Sequence, residues 1–267
     1  MRKAGARLLL WFTAIGIIAP FIVVAGVSVG KSKTISFPPD EFSVTWYQIL
    51  FTDPDWLKAI GASLLVAVCA ALIAVALAFV INYVLWRLKS KFSHFTFAIA
   101  LGPFLLPPII LALGASLFWA EAGWYGRIEA TMISHGIFLV TLPLVIIARG
   151  FASLTDDVIE AATIMGATPG QLLTTIILPL ITPYLLTGFA LVAIISVNEY
   201  LIANMISGFV VETLPIKIFN NVRYGYTPVV ASASMLFVFI TVVVLLLVAR
   251  STDLLALLGS KIGSADT

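Results

Sequence analysis

The chain has 267 residues, of which 61% are hydrophobic and only 10% are charged. Soluble domains carry about 25% charged residues, and disordered chains are poor in apolar residues. A net charge of +2 supplies no strong field for nucleic acid, and one cysteine, Cys69, allows neither an intramolecular disulfide nor a cysteine metal cluster. The composition indicates an integral membrane protein that does not bind nucleic acid.

Six apolar runs are long enough to cross a bilayer, which takes about 20 mostly apolar residues. The first run exceeds the apolar region of a signal peptide, about 7–15 residues, so we expect it to be a span. Prolines inside the third and fourth runs predict kinks rather than breaks. The sequence predicts an all-α integral membrane protein with six spans, at Leu8–Val29, Ala59–Trp86, Phe95–Trp119, Thr131–Ala148, Tyr184–Ile206 and Val229–Ala249.

The orientation of the chain is predicted from its Lys and Arg residues, which favour cytoplasmic loops. With a cytoplasmic N-terminus, the inside set is Arg2, Lys3, Arg7, Arg87, Lys89, Lys91, Arg149, Arg250 and Lys261, and the outside set is Lys31, Lys33, Lys58, Arg127, Lys217 and Arg223. Both termini of this multi-pass chain are therefore predicted to be cytoplasmic. Residues 1–267 are expected to form one transmembrane domain, with external segments at about 30–58, 120–130 and 208–228.

One cytoplasmic segment, about 156–179, has the pattern of two short helices joined by a glycine turn; we call it the elbow. Asp157 and Glu160 have the spacing of a capping box, and Gly166 stands where a left-handed helix end is favoured. Between them, an apolar helix face has no predicted partner in the chain. Its residues are Val158, Ile159, Ala162 and Met165.

The second helix of the elbow is predicted to begin after Thr168, with Pro169 at its first position and Gln171 completing another capping box. The elbow carries Asp156, Asp157 and Glu160, but no Lys or Arg lies between residues 150 and 183. Anionic lipid attracts basic segments, so the charge favours docking to a protein over lying on the lipid surface.

Two further patterns point to a known family. The elbow contains Glu160-Ala161-Ala162, three residues, Gly166, nine residues, and then Ile176-x-Leu178-Pro179. This spacing resembles the EAA signature of permease subunits of ABC importers. The pair Trp46-Tyr47 and the run Thr213-Leu214-Pro215-Ile216-Lys217-Ile218 are similar to the spermidine/putrescine-type branch.

The resemblance implies a type I ABC importer (MetI-like) permease fold in the bacterial cytoplasmic (inner) membrane. It implies coupling to a cytoplasmic ABC ATPase dimer through Glu160, Ala161, Ala162, Gly166, Leu178 and Pro179. That dimer would hold ATP and Mg²⁺, so this chain is expected to have no cofactor and no enzymatic activity of its own. A second permease of different sequence, a periplasmic or lipid-anchored solute-binding protein and membrane lipid complete the implied partners. The implied solute is a polyamine or a related amine.

The fifth span carries one carboxylate, Glu199. On a continuous helix, Ser196, Glu199, Ala203 and Ser207 would share one small and polar face. We expect this face, with Asn198, to line the solute path or a gate, with Lys217 or Arg223 as a pairing base for Glu199. A structural ion pair is the alternative. Polyamine-type permeases tend to carry paired aspartates where this chain has Asn198-Glu199, which leaves the charge of the solute open.

Other functions remain open at this stage. The same importer class could carry an aminophosphonate, an amino acid or ferric ion. A secondary transporter that works without an ATPase is the alternative from another class, although such proteins often show inverted repeats and paired intramembrane charges, and only Glu199 is a clear ionisable residue within a span. An intramembrane protease is disfavoured because no Ser/His, Asp/Asp or H-E-x-x-H set lies in the spans.

The predicted orientation can be tested by thiol labelling of intact cells. A single cysteine at Lys89 or Thr168 should be protected from a membrane-impermeant reagent, and one at Asp40 should react. Labelling of the Thr168 position from outside would contradict both the orientation and the cytoplasmic elbow.

Overall fold

The structure is a computed structural model that describes residues 2–225 and 227–251. Within those ranges the chain is all-α, as predicted, with a single isolated β-bridge between Gly30 and Phe42. A π-helical segment, Leu172–Ile177, joins two of the helices. The helices are α1 (Arg2–Ser28), α2 (Thr45–Thr52), α3 (Pro54–Leu88), α4 (Lys91–Ala100), α5 (Gly102–Leu105), α6 (Pro108–Glu121), α7 (Ile128–Phe138), α8 (Thr141–Ala152), α9 (Asp156–Ile164), α10 (Pro169–Gln171), α11 (Leu178–Asn198), α12 (Leu201–Ile206), α13 (Leu214–Tyr224) and α14 (Val229–Ser251).

Among the residues that the structure describes, four helical stretches are long and apolar enough to cross a membrane: Gly5–Ser28, Pro54–Leu88, Pro169–Asn198 and Val229–Leu247. A fifth is obtained if α7 and α8, which are bent by 48°, form one span. Helix α6 is apolar but shorter. Six spans therefore stay a prediction, as does the topological assignment of Lys261, which lies outside the described residues.

The third predicted span is not one continuous helix, so the expectation that its prolines only kink it is wrong. Helix α5 ends at Leu105, and Leu106 adopts an extended conformation before Pro107. A residue before proline is pushed out of the helical region, and two successive prolines also remove two amide donors. The chain starts a new helix at Pro108.

The chain divides into two compact units, residues 1–61 with 213–241 and residues 62–212 with 242–267. In the first unit, α2 and the start of α13 pack with the start of α14 around buried Leu50 and Leu214. Trp46 is buried there and donates its indole N–H to the carbonyl of Gly30 at 2.6 Å. This unit contains most of the predicted external segments 30–58 and 208–228.

The second unit contains the elbow and the broken fifth span, and α8 packs closely against α11 in it. Leu144, Ile147 and Ile181 are fully buried in this interface. Asn82 of α3 is also buried, and its side-chain amide donates to the carbonyls of Ala78 and Leu144 at 2.8 and 3.0 Å. Small residues let membrane helices approach closely, and buried amides join them by hydrogen bonds.

Gly188 lies at a close approach of α8 and α11. A Cβ atom at Gly188 would lie 2.9 Å from Cβ of Pro143 and 3.2 Å from its Cα. Neither proline atom belongs to a flexible side chain, so the helices themselves must shift to accept a methyl group.

Gly188→Ala should therefore destabilise the folded chain by about 1–3 kcal/mol, the usual cost of overpacking. Thermal unfolding of the detergent-solubilised protein, followed by size-exclusion chromatography, measures the change. Gly114→Ala is the matched control, since nothing lies within 4 Å of a Cβ there and alanine favours a helix. Equal melting temperatures for the two variants would contradict the close contact.

Candidate functional site

The elbow has the helix–turn–helix form that the sequence predicts. Helix α9 ends at Ile164, and Gly166 has φ +87°, the left-handed conformation expected there. The Gly166 amide donates to the carbonyl of Thr163 and the Ala167 amide to that of Ala162, both at 3.0 Å. These bonds close the end of α9 and turn the chain.

The predicted cap of the second helix is confirmed. The amide of Thr168 donates to Oε1 of Gln171 at 2.8 Å, and the amide of Gln171 donates to Oγ1 of Thr168 at 3.3 Å. Pro169 occupies the first helical position. Helix α10 then continues through the π-helical segment into α11, which begins at Leu178 and Pro179.

The capping box predicted for Asp157 and Glu160 is wrong. The cap position is two residues earlier than predicted, at Thr155, which holds the extended conformation that a cap requires, and no side chain caps the helix. Asp156 and Asp157 instead lie in the first turn, where negative charge is favoured by the helix dipole.

The apolar face of α9 is only partly free, which corrects the expectation that it has no partner in its own chain. Ala162 is buried, and Ile159 packs against the cluster that contains Phe151 and Ile177. Ile164 and Met165, at the tip of the elbow, are 86% and 82% exposed. One side of α9 thus contacts the chain, while its tip presents two large apolar side chains.

A cleft of about 300 Å³ lies beside α9. Arg87 and Lys89, at the end of α3, line it together with Asp156 and Glu160. The acidic face of the elbow therefore has basic neighbours that lie far from it in the sequence. Glu160 and Ala161 are exposed, so part of the predicted coupling motif is accessible.

The fifth predicted span is interrupted at Glu199, so a single helix over Tyr184–Ile206 is wrong. Helix α11 ends at Asn198, Glu199 is extended with φ −77° and ψ 121°, and α12 starts at Leu201. The Glu199 carboxylate accepts the amides of the first turn of α12: Leu201 at 2.8 Å, Ile202 at 3.0 Å and Ala203 at 3.2 Å. The side chain ends one helix and caps the next.

The carboxylate of Glu199 is paired with a histidine that the sequence reasoning passed over. His135 in α7 is buried, and its Nε2 lies 3.1 Å from Oε2 of Glu199. Its Nδ1 lies 2.8 Å from Oγ of Ser196. An ionisable residue inside a predicted span is itself a signal of function, and His135 lies within the predicted fourth span.

The contact between His135 and Glu199 is short but poorly aligned. Nε2 of His135 makes no hydrogen bond of acceptable angle, so its interaction with the carboxylate is a close polar contact. A buried nitrogen without an aligned partner costs about 1–3 kcal/mol.

The predicted path residues differ in their exposure. Ser196 and Ala203 are buried, and the side chain of Glu199 is 15% exposed. Asn198 is exposed, and its side-chain amide donates to the carbonyl of Ile194. Ser207 is buried and shares a hydrogen bond of 2.7 Å with Thr131 of α7. In the described parts of the chain, no group of three or more His, Cys, Asp or Glu side chains is arranged to hold a metal ion.

The apolar helices and the elbow agree with the comparison of the sequence to protein families. Residues 76–256, more than half of the chain, match the family described as "Binding-protein-dependent transport system inner membrane component". The chain belongs to this family. The permease resemblance found from the EAA spacing is confirmed.

Relatives of the permease include two polyamine-transport proteins of Escherichia coli K12. The putrescine transport system permease protein PotI is 31% identical over 229 residues, covering 83% of this chain and 80% of PotI. The spermidine/putrescine transport system permease protein PotC is 27% identical over 225 residues, covering 84% and 85%. The trehalose/maltose transport system permease protein MalG of Thermococcus litoralis is 30% identical, covering 69% and 68%.

Solved structures show the same fold. A chain of a bacterial ABC transporter involved in the import of the acidic polysaccharide alginate superimposes with a TM-score of 0.70 at 16% identity, covering 93% of this permease and 95% of that chain. A chain of the MetNI methionine ABC transporter gives 0.60 at 19% identity, covering 73% and 95%. The expected MetI-like ABC importer permease fold is therefore confirmed.

Proposed function

We propose that this permease is one membrane subunit of an ATP-driven importer for a polyamine such as putrescine or spermidine. The observation that carries the solute class is the 31% identity to PotI over most of both chains. The pair Trp46-Tyr47 and the run from Thr213 to Ile218 support the same branch. A neutral sugar is the second candidate, because MalG is 30% identical over a shorter part of the chain.

The elbow is the proposed site of coupling to a cytoplasmic ABC ATPase dimer, which would bind ATP and Mg²⁺. Glu160, Ala161, Ala162 and Gly166 belong to this site, with Leu178 and Pro179 where α11 begins. The exposed tip at Ile164 and Met165 offers apolar area to a groove of the ATPase. Because Ala162 is packed against the chain, the elbow can pass a movement of the ATPase to the helices beneath it.

The solute path or its gate is proposed at the interruption of the fifth span, which includes Ser196, Asn198, Glu199 and Ala203. Broken helices in transporters tend to mark binding sites, because unwound backbone inside a membrane is tolerated only where protein or a water-filled cavity surrounds it. Asn198 is the exposed member of this set.

The remaining partners are a second permease subunit of different sequence and a periplasmic or lipid-anchored solute-binding protein. The inner membrane is the proposed location, with both termini on the cytoplasmic side. This orientation puts the elbow next to the ATPase and α2 and α13 next to the binding protein.

The solute class is tested with the complete importer, reconstituted in lipid with its binding protein. Putrescine or spermidine should raise the rate of ATP hydrolysis severalfold over the basal rate, whereas maltose should leave it unchanged. Stimulation by maltose alone would replace the polyamine proposal with the sugar one. Stimulation by neither would contradict both solute classes.

The coupling role of the elbow is tested by Gly166→Val. A β-branched residue resists the left-handed conformation by about 1–2 kcal/mol, so docking of the ATPase should weaken about five- to thirtyfold. Copurification of the ATPase with the permease at a series of concentrations measures the change. The matched control is Gly170→Val in the same elbow, where φ is not positive and no atom lies within 4 Å of the added Cβ. Equal docking by the two variants would contradict the role of the turn.

A further inference from the structure

A polar cluster made by His135, Ser196 and Glu199 lies in the core of the second unit. His135 is 1% exposed, and it comes from α7, whereas Ser196 lies in the last turn of α11 and Glu199 lies between α11 and α12. The imidazole thus contacts both sides of the helix interruption, with Nδ1 on Ser196 and Nε2 on Glu199.

The chemistry of the groups assigns the protons of this cluster. An ionised carboxylate can only accept, so Nε2 of His135 must carry a proton where it faces Glu199. In the neutral ring, Nδ1 then accepts from the hydroxyl of Ser196. Each ring nitrogen therefore has a different polar partner.

Both oxygens of the Glu199 carboxylate are occupied within the chain. Oε1 accepts the amides of Leu201 and Ile202, and Oε2 accepts those of Ile202 and Ala203 and also faces His135. A carboxylate has about four lone-pair sites, so these contacts leave little capacity for an ammonium group of a solute. The geometry fits a helix cap better than a cation ligand.

The Glu199 carboxylate is held from two sides. The three amides hold the carboxylate from the α12 side, and the imidazole meets it from the α7 side without a well-directed bond. Thr131 and Ser207 join the same two regions a short distance away through their hydroxyls. Helix α12 is therefore attached to α7 at both of its ends.

We propose that His135 is a positioning residue, which holds the Glu199 carboxylate on the first turn of α12 and so fixes α12 against α7 at the interruption of the fifth span. In this role Glu199 shapes the path or gate, and the solute does not bind to its carboxylate. The inference rests on the proposed importer function for its transport test, and a second test is independent of it.

The transport test is a double-mutant cycle with His135→Leu, Glu199→Gln and the double variant, in the reconstituted importer. Each single variant should lower the maximum solute-stimulated ATPase rate per assembled complex by at least about threefold, while the half-maximal solute concentration changes less than about twofold. The double variant should be no slower than the slower single variant. His135→Gln should recover much of the rate, because its amide can donate to Glu199 and accept from Ser196.

Matched controls are Glu129→Gln, an exposed residue of the same α7, and His94→Leu, an exposed histidine whose Nδ1 lies 2.8 Å from the carbonyl of Ser90. Both should leave the rate unchanged. If His135→Leu does not assemble, His135→Asn, whose shorter amide cannot reach both partners, takes its place in the comparison with His135→Gln.

Three outcomes would overturn the proposal. A tenfold or larger rise in the half-maximal concentration of a polyamine for Glu199→Gln, without the same change in His135→Leu, would make Glu199 a solute ligand. Additive losses in the double variant would show that the residues act separately. Fewer assembled complexes with an unchanged rate per complex would leave His135 with a role in folding alone.

The second test needs no solute, so it tests the positioning role of His135 even if polyamines do not stimulate the importer. Cysteines replace Thr131 and Ser207, whose oxygens are 2.7 Å apart, in the complex carrying Cys69→Ala. Oxidation should form a disulfide, read as loss of free thiol, and adding His135→Leu should slow it at least about threefold. An unchanged rate would overturn the positioning role, whatever the solute proves to be.

Discussion

A backbone amide or carbonyl inside a bilayer finds no water to bind, so each helix end placed there must be paired by the protein itself. This constraint accounts for the polar residues that the apolar core retains. Glu199 caps the first turn of α12, and the hydroxyl of Thr141 donates to the carbonyl of Ala100 at the end of α4. Asn82, inside α3, donates to the carbonyl of Leu144 and so joins α3 to α8.

The elbow and the break in the fifth span satisfy the same requirement by different means. At the elbow, Gly166 and the pair Thr168 and Gln171 complete the helix ends with local contacts only. At the break, Glu199 needs a residue from another helix, His135, more than sixty positions earlier in the chain. The helix ends of the elbow therefore depend on residues close in the sequence. The break in the fifth span depends on a contact between two helices of the core.

The relatives and the solved structures share a fold but are named for different solutes. Proteins named for putrescine, trehalose/maltose, alginate and methionine share this family or this fold. The shared part is the permease fold. Because proteins named for such different solutes share this fold, the fold alone does not determine the solute.

Composition and short-range patterns were enough to predict the fold class, the position of the elbow, its glycine turn and the cap at Thr168, because these depend on residues within a few positions of one another. They also identified Glu199 as the one clear ionisable residue within a predicted span. They did not predict that Pro107 breaks a helix, that Glu199 ends one, or that His135 is its partner. The break before Pro107 follows from local proline geometry, which by itself does not distinguish a kink from a break. The contact of Glu199 with His135 joins residues far apart in the sequence, because a helix end inside a membrane needs a partner from elsewhere in the fold.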